Sequence, residues 1–303
     1  MEQTMIIWRF TDGKLGHENQ TSGLVAALGL KRDSRVIDVP IASLPSSPKL
    51  LLLALFRRKI SDFPSEKPDL IIGAGRATHI PMVVAKSQCG GKSIVLMRPS
   101  IPFKLFDLIV APEHDSVSLN ERVIESVGVL NPVQFVENKD QHKGLMLIGG
   151  ESSHFVWDDA RIANQILHIA EHNPQLRWTL TTSRRTPESF LQHIKEVPVE
   201  IVPVEETDQK WMQAQFASSG QAWVTPDSVS MIYESLSSGA TTKIFSLEPT
   251  MRESRVRRGL EALLENDSII TFEKWKQDPT KKQTSRYFNE SSRVADFILE
   301  HLL

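Results

Sequence analysis

Two glycine-rich strand ends, one in each half of the chain, constrain the fold more than any other feature. In the first, the apolar run Met5–Phe10 leads into Thr11-Asp12-Gly13-Lys14-Leu15-Gly16-His17. In the second, Gly144–Ile148 leads into Gly149-Gly150-Glu151-Ser152-Ser153-His154. Each reads as a short strand, a turn of small residues and the start of a helix. A parallel sheet builds its ligand site in this way, with N–H groups and a helix N-terminus facing an anion. Two such units within 303 residues predict an α/β protein with two Rossmann-like parallel-sheet domains facing a cleft.

The rest of the chain keeps the same rhythm. Strands are predicted at Met5–Phe10, Val36–Val39, Leu70–Gly73, Ser93–Leu96 and Leu108–Ala111, with helices at Asn19–Leu28, Leu50–Lys59 and His79–Ser87 between them. Later strands are predicted at Leu145–Ile148, Arg177–Thr181, Val199–Val202, Gln221–Val224 and Lys243–Ser246. Their helices are Asp158–Asn173, Pro187–Lys195, Trp211–Ser218, Ser228–Ser237 and Ser254–Asn266. Strands alternating with amphipathic helices predict parallel sheets covered on both faces. The polar stretch Val133–Asp140 reads as a linker, giving domains over 1–135 and 141–303. A last polar helix, Glu290–Leu302, is placed to fold back across the boundary.

Composition narrows the function classes. A formal net charge of −2 gives no general attraction to nucleic acid, which is not expected as a partner. The arginines at 252, 255, 257 and 258 form a basic cluster that reads first as a solvated helix end. One cysteine, Cys89, excludes an internal disulfide framework and fits a reducing, cytoplasmic setting. Neither a secretory signal nor a membrane-spanning run is present. One segment, Leu50–Lys59, joins a run of apolar residues to Arg57-Arg58-Lys59. It fits a buried helix whose basic end complements its dipole, or a helix lying on an anionic membrane surface.

Four segments carry candidate chemistry. After the first strand, Gly13 and Gly16 allow close backbone approach and positive φ, and Asp12 and His17 supply titratable groups. An imidazole there suits a general base, while a structural turn with Asp12 as a cap is the alternative. Gly73-Ala74-Gly75-Arg76 follows another strand and sets Arg76 and His79 near the same place, with Arg76 suited to an anion. Gly149, Gly150 and Ser152, with Thr182, Ser183 and Arg184 after the next strand, describe an anion site on the second domain. Finally, Thr225-Pro226-Asp227-Ser228 opens a helix on which Glu234 sits six residues past Ser228. A carboxylate there suits the two hydroxyls of a ribose; a surface glutamate is the plain alternative.

These segments resemble known patterns. Their order is distantly similar to the GT-B glycosyltransferases of the MurG type, in Leu15-Gly16-His17, in Gly149-Gly150-Glu151-Ser152, and in the spacing of Asp227-Ser228, Glu234 and Gly239. A closer resemblance, spanning nearly the whole chain, is to the mitochondrial-fission "elongated mitochondria" family of plants and bacteria. It rests on Asp12–Gln20, Gly73–Arg76, Phe106–Asp115, Gly149–Trp157, Thr182–Pro187 and Thr225–Met231. Two departures stand out: Val229 follows Ser228 where MurG-like enzymes have glycine, and Met97-Arg98-Pro99-Ser100 keeps only part of an aspartate-proline-arginine segment. An epimerase label does not fit, because the Gly-x-x-Gly-x-x-Gly start and the Tyr-x-x-x-Lys pair are absent.

The resemblance implies a glycosyltransferase-like protein that takes a nucleotide sugar and transfers the sugar to an unknown acceptor, of lipid or cell-envelope type, with no metal or other cofactor required. Glu234 would hold the ribose. Gly150, Ser152, Thr182, Arg184 and Ser228 would hold the diphosphate, and Gly13, Gly16, Arg76, Gly149, Ser183 and Asp227 would be further binding residues. His17, or else Asp12, would act as base. The alternative is a non-catalytic scaffold of the same fold acting at membranes, peripheral on the inner face.

Overall fold

The structure is a computed structural model and describes residues 3–56, 58–115, 117–118, 120–251, 255–284 and 288–303. The chain divides into two compact units, Met1–Pro132 with Glu290–Leu303, and Val133–Asn289. In chain order the first unit holds β1 (Met5–Thr11), α1 (Leu15–Lys31), β2 (Ser34–Pro40), α2 (Ser47–Leu55), β3 (Leu70–Ala74), α3 (His79–Cys89), β4 (Lys92–Leu96), β5 (Leu108–Pro112) and β6 (Val123–Ser126). The second opens with β7 (Asp140–Leu147), β8 (Phe155–Val156), α4 (Asp159–His172), β9 (Arg177–Thr181), α5 (Phe190–His193), β10 (Glu200–Val202), α6 (Gln209–Ser218) and β11 (Ser219–Val224). It continues through α7 (Val229–Ser238), β12 (Thr241–Ile244), β13 (Glu248–Pro249), α8 (Arg255–Glu265), β14 (Ile270–Thr271) and α9 (Phe272–Gln277). The chain returns to the first unit for α10 (Glu290–His301).

Each unit is built on a six-stranded parallel sheet. The first runs β2-β1-β3-β4-β5-β6 and the second β10-β9-β7-β11-β12-β14. Both orders reverse direction beside the first strand of the unit, between β1 and β3 in one and between β7 and β11 in the other. Loops leaving the carboxyl ends of the two strands at such a reversal diverge to opposite faces and leave room for a ligand.

Period-two alternation sorts side chains to the two faces of the first sheet. Met5, Ile7, Leu70, Ile72, Ile94 and Leu108 pack with Leu24 and Leu28 of α1 and with Val294 and Ile298 of α10. Their neighbours Trp8, Phe10, Ile71, Val95 and Ile109 pack on the other face with Leu50 and Met82. A strand buried on both sides must be apolar throughout, which is why β3 and β5 carry almost no polar residue. Helix α10 is also tied by Glu290, which accepts from the N–H of Val127 (2.9 Å), and by Ser291, which donates to the carbonyl of Asn131 (2.9 Å).

Several elements differ from the sequence expectation. Strand β6 is an edge strand of partly buried residues and gives no alternating apolar signal. Helix α1 starts at Leu15, ahead of the expected Asn19, because its first turn is the polar Gly16-His17-Glu18. The expected Pro187–Lys195 helix shrinks to α5. Polar Val133–Asp140 does not run free to its end, since Asp140 already pairs as the first residue of β7. Helix α2 begins earlier and stops at Leu55, so Arg58 and Lys59 follow the helix, and Arg57 lies outside the described residues. It is not a buried helix either: Leu50 is buried, but Leu51, Leu52, Leu55 and Phe56 are exposed. No helix among the described residues is long and apolar enough to cross a membrane.

Candidate functional site

In the first unit the reversal brings together the loops after β1 and β3. Asp12 stands one residue past β1 and turns back: Oδ1 accepts from the N–H of Lys14 (3.2 Å) and Oδ2 lies 2.8 Å from Nδ1 of His17. The Asp12 side chain is 2 % exposed and that of His17 24 %. An ionised carboxylate can only accept, so a neutral imidazole here would carry its proton on Nδ1 and its lone pair on Nε2. Glu18 closes the loop by accepting from the N–H of Gly13 (3.0 Å).

The loop after β3 presses against this pair. Gly75 has φ +84°, and a Cβ there would lie 2.3 Å from the His17 ring, so only glycine fits. Arg76 follows, exposed and with no carboxylate partner among the described residues. His79, buried at the head of α3, shares a 3.0 Å hydrogen bond between Nδ1 and Ser100 Oγ. Burial, then Arg76 and His17, lower its pKa to about 4, so His79 is neutral at pH 7. Gly16 departs from expectation. It lies in the first turn of α1 with no positive φ, and a Cβ on it would meet nothing within 4 Å. Gly13 does have positive φ, at +78°.

In the second unit the loops after β7 and β11 converge, and here the sequence reading needs correction. The N–H groups of Gly149 and Gly150 are not open to an anion. Gly149 donates to Thr225 Oγ1 (2.7 Å) and Gly150 to Asp227 Oδ2 (3.0 Å). The Asp227 side chain is fully buried, and its Oδ2 also takes Arg185 at 2.8 Å, while Oδ1 has no hydrogen-bond partner among the described residues. Asp227 therefore supplies an internal carboxylate where a phosphate was expected. Ser183 is likewise engaged, donating to the carbonyl of Gly149 (2.7 Å). Arg185 closes the arrangement by donating to the carbonyls of Gly150 (3.4 Å) and Glu151 (3.0 Å). A Cβ on Gly150 would come within 2.0 Å of the Arg185 carbonyl oxygen, so the two loops touch backbone to backbone.

Other predicted donors in this unit keep free valence. Ser152 Oγ accepts from the N–H groups of His154 (3.2 Å) and Phe155 (3.3 Å), and Thr182 Oγ1 accepts from Val204 (3.1 Å), so both hydroxyl protons remain available. Arg184 is exposed and unpaired among the described residues. Of the basic cluster after residue 250, Arg257 donates to the Thr250 carbonyl (3.2 Å) and pairs with Glu261 (3.4 Å). Arg258 is exposed; Arg252 and the Arg255 side chain lie outside the described residues.

Helix α7 starts without a side-chain cap. Ser228 is at the N-cap position, but its side chain makes no capping bond, and the N–H groups of Val229, Ser230 and Met231 have no acceptor among the described residues. Further along the same helix, Glu234 is partly buried with no partner for its carboxylate among the described residues, and desolvation raises its pKa to about 7. Helical side chains lean toward the N-terminus, so Glu234 is carried back toward the uncapped turn. An uncapped helix start attracts an anion, and a partly desolvated carboxylate without a donor suits hydroxyl groups.

Sequence reasoning missed Arg185 and Ser100. Arg185 was one of two adjacent arginines, and nothing local showed which would turn inward to Asp227. Ser100 lies in the segment that only partly fits the family pattern, and its partner His79 is 21 residues away.

The fold has counterparts among solved structures. It is similar to the glycotransferase of kitacinnamycin (12 % identity, TM-score 0.55, all of both chains). It is also similar to MurG of Acinetobacter baumannii (10 % identity, TM-score 0.51, covering 98 % of this chain and 99 % of that one). The two parallel-sheet units are thus those of the GT-B glycosyltransferase fold. In sequence, the chain is 23 % identical to an uncharacterised protein of Rickettsia prowazekii (strain Madrid E), over 97 % of this chain and 98 % of that protein. The family model for mitochondrial fission ELM1 matches residues 15–302, and the chain belongs to that family.

Proposed function

We propose that this protein binds a nucleoside-diphosphate sugar on its second unit and transfers the sugar to an acceptor hydroxyl deprotonated on its first. The observation that carries the reading is the pairing, on one helix, of an uncapped N-terminus with the unpartnered carboxylate of Glu234. Phosphate oxygens satisfy the N–H groups of residues 229–231 and the Ser228 hydroxyl; a ribose diol satisfies Glu234. Arg184, Ser152 and Thr182 are the further donors left open on this unit. Asp227, Gly149, Gly150 and Ser183 serve the loop that holds them.

On the first unit, His17 Nε2 takes the acceptor's hydroxyl proton while that oxygen attacks the anomeric carbon. The bond from that carbon to the diphosphate oxygen breaks, and its electron pair leaves with the nucleoside diphosphate. Asp12 holds the imidazole in the required tautomer and stabilises the imidazolium that forms. The α7 dipole and Arg184 offset the charge that builds on the leaving group without requiring a metal ion.

Titration calorimetry with a panel of nucleoside diphosphates tests the donor half. Binding of one base in preference to the others, weakened at least tenfold in Glu234→Ala, is the expected result. Failure of every nucleotide to bind, or binding indifferent to Glu234→Ala, would overturn it.

A further inference from the structure

Helix α2 has two apolar sides and only one of them is used. Leu50 is buried, and Leu53 and Ala54 pack on the core of the first unit. Residues 51, 52, 55 and 56 fall on the other side at the i, i+1, i+4, i+5 spacing of a single helix face. They are Leu51, Leu52, Leu55 and Phe56, exposed to 47 %, 55 %, 76 % and 66 %. A helix that is apolar all round is normally enclosed, so this face has an unmet partner.

The surroundings are cationic. Lys49 is exposed at the start of α2 and Arg58 and Lys59 just past its end. Arg58 is held there because Gln88 accepts from the N–H of Ile60 (3.3 Å) and donates to the carbonyl of Arg58 (2.9 Å). Lys59 and Lys67 lie close enough to act together on the Cys89 thiol. Within residues 47–67 there are two acids, of which Glu66 is already paired with Arg35. Asp62 is the remaining one.

Apolar side chains ringed by cations match one occupant. We propose that the outward face of α2 inserts among the headgroups of a bilayer rich in anionic lipid, with Lys49, Arg58 and Lys59 against the lipid phosphates. A protein partner fits less well. A stable protein interface removes about 800 Å² from each side, more than these four side chains supply. This inference is independent of the nucleotide reading and stands or falls without it.

Co-sedimentation with extruded vesicles tests it. The intact protein is expected to pellet with phosphatidylcholine–phosphatidylglycerol vesicles, to stay in solution with phosphatidylcholine alone, and to be released by added salt. Leu55→Ser with Phe56→Ser should abolish pelleting at unchanged melting temperature, since both side chains are exposed. Lys49→Glu with Lys59→Glu, which leaves the apolar face intact, should weaken it roughly fivefold or more per cation replaced. Three results would overturn the proposal. These are no binding to anionic vesicles, binding unaffected by either double variant, and a protein dimer in sedimentation velocity that Leu55→Ser with Phe56→Ser dissolves.

Discussion

Asp12 Oδ2 and His17 Nδ1 lie 2.8 Å apart, with the carboxylate buried and the imidazole side chain partly exposed. On the proposed function this relationship gives separate duties to two residues that the sequence offered as rival bases. His17→Ala should lower turnover roughly a hundredfold to ten-thousandfold, the usual contribution of a positioned base. Added imidazole should restore part of it. Asp12→Asn should lower kcat with little change in KM for the donor. Equal turnover in His17→Ala and the parent, followed as nucleoside-diphosphate release, would remove His17 from the reaction.

The two glycines beside this pair should behave differently. Gly75→Ala forces a side chain into a φ of +84° and into the His17 ring, so it should cost about 1–3 kcal/mol of stability and displace the base. Gly16→Ala meets no atom of the chain and should leave the urea midpoint unchanged or slightly raised. If Gly16→Ala nevertheless impairs acceptor use, the added methyl is meeting a bound molecule. A drop in midpoint for Gly16→Ala would contradict the geometry.

Glu234 gives unit two a pH signature. Its carboxyl ionises near 4.5 when unfolded and near 7 when folded, so the folded state holds the proton more tightly in between. Stability is therefore present below 4.5 and declines as pH rises toward 7. Glu234→Gln should raise the melting temperature at pH 8 and have little effect at pH 5. Hydroxyl donors favour the ionised form, so nucleoside-diphosphate affinity should rise between pH 6 and 8. That rise should vanish in Glu234→Gln.

His79 should act in the opposite sense on the first unit. Its pKa falls from 6.5 unfolded to about 4 folded, so the unfolded chain takes up the proton first. The contribution is present above 6.5 and lost as pH falls toward 4. Hydrogen exchange followed region by region should show α3 loosening over that interval, and His79→Gln should flatten the response.

Much of this was legible before the coordinates. Apolar runs placed ahead of Gly13, Gly73 and Gly149 mark β1, β3 and β7, and β3, buried at every residue, tolerates little else. What was not legible is where the polar groups go. Gly149 and Gly150 read as an open cradle, yet their N–H groups are taken by Thr225 and Asp227, more than 70 residues away. No local pattern encodes that pairing. Helix α2 stayed open between two readings for the converse reason: a run of leucines suits an enclosed helix or one lying on a membrane, and only the fold shows that Leu51, Leu52, Leu55 and Phe56 stay uncovered.

Amide hydrogen exchange at residues 229–231, with and without the nucleoside diphosphate that binds, tests the central claim most directly. The account predicts slowed exchange at these three first-turn amides on ligand addition, lost when Glu234 is replaced by alanine. Protection confined to the loop at Gly149–Gly150, with residues 229–231 unchanged, would contradict it.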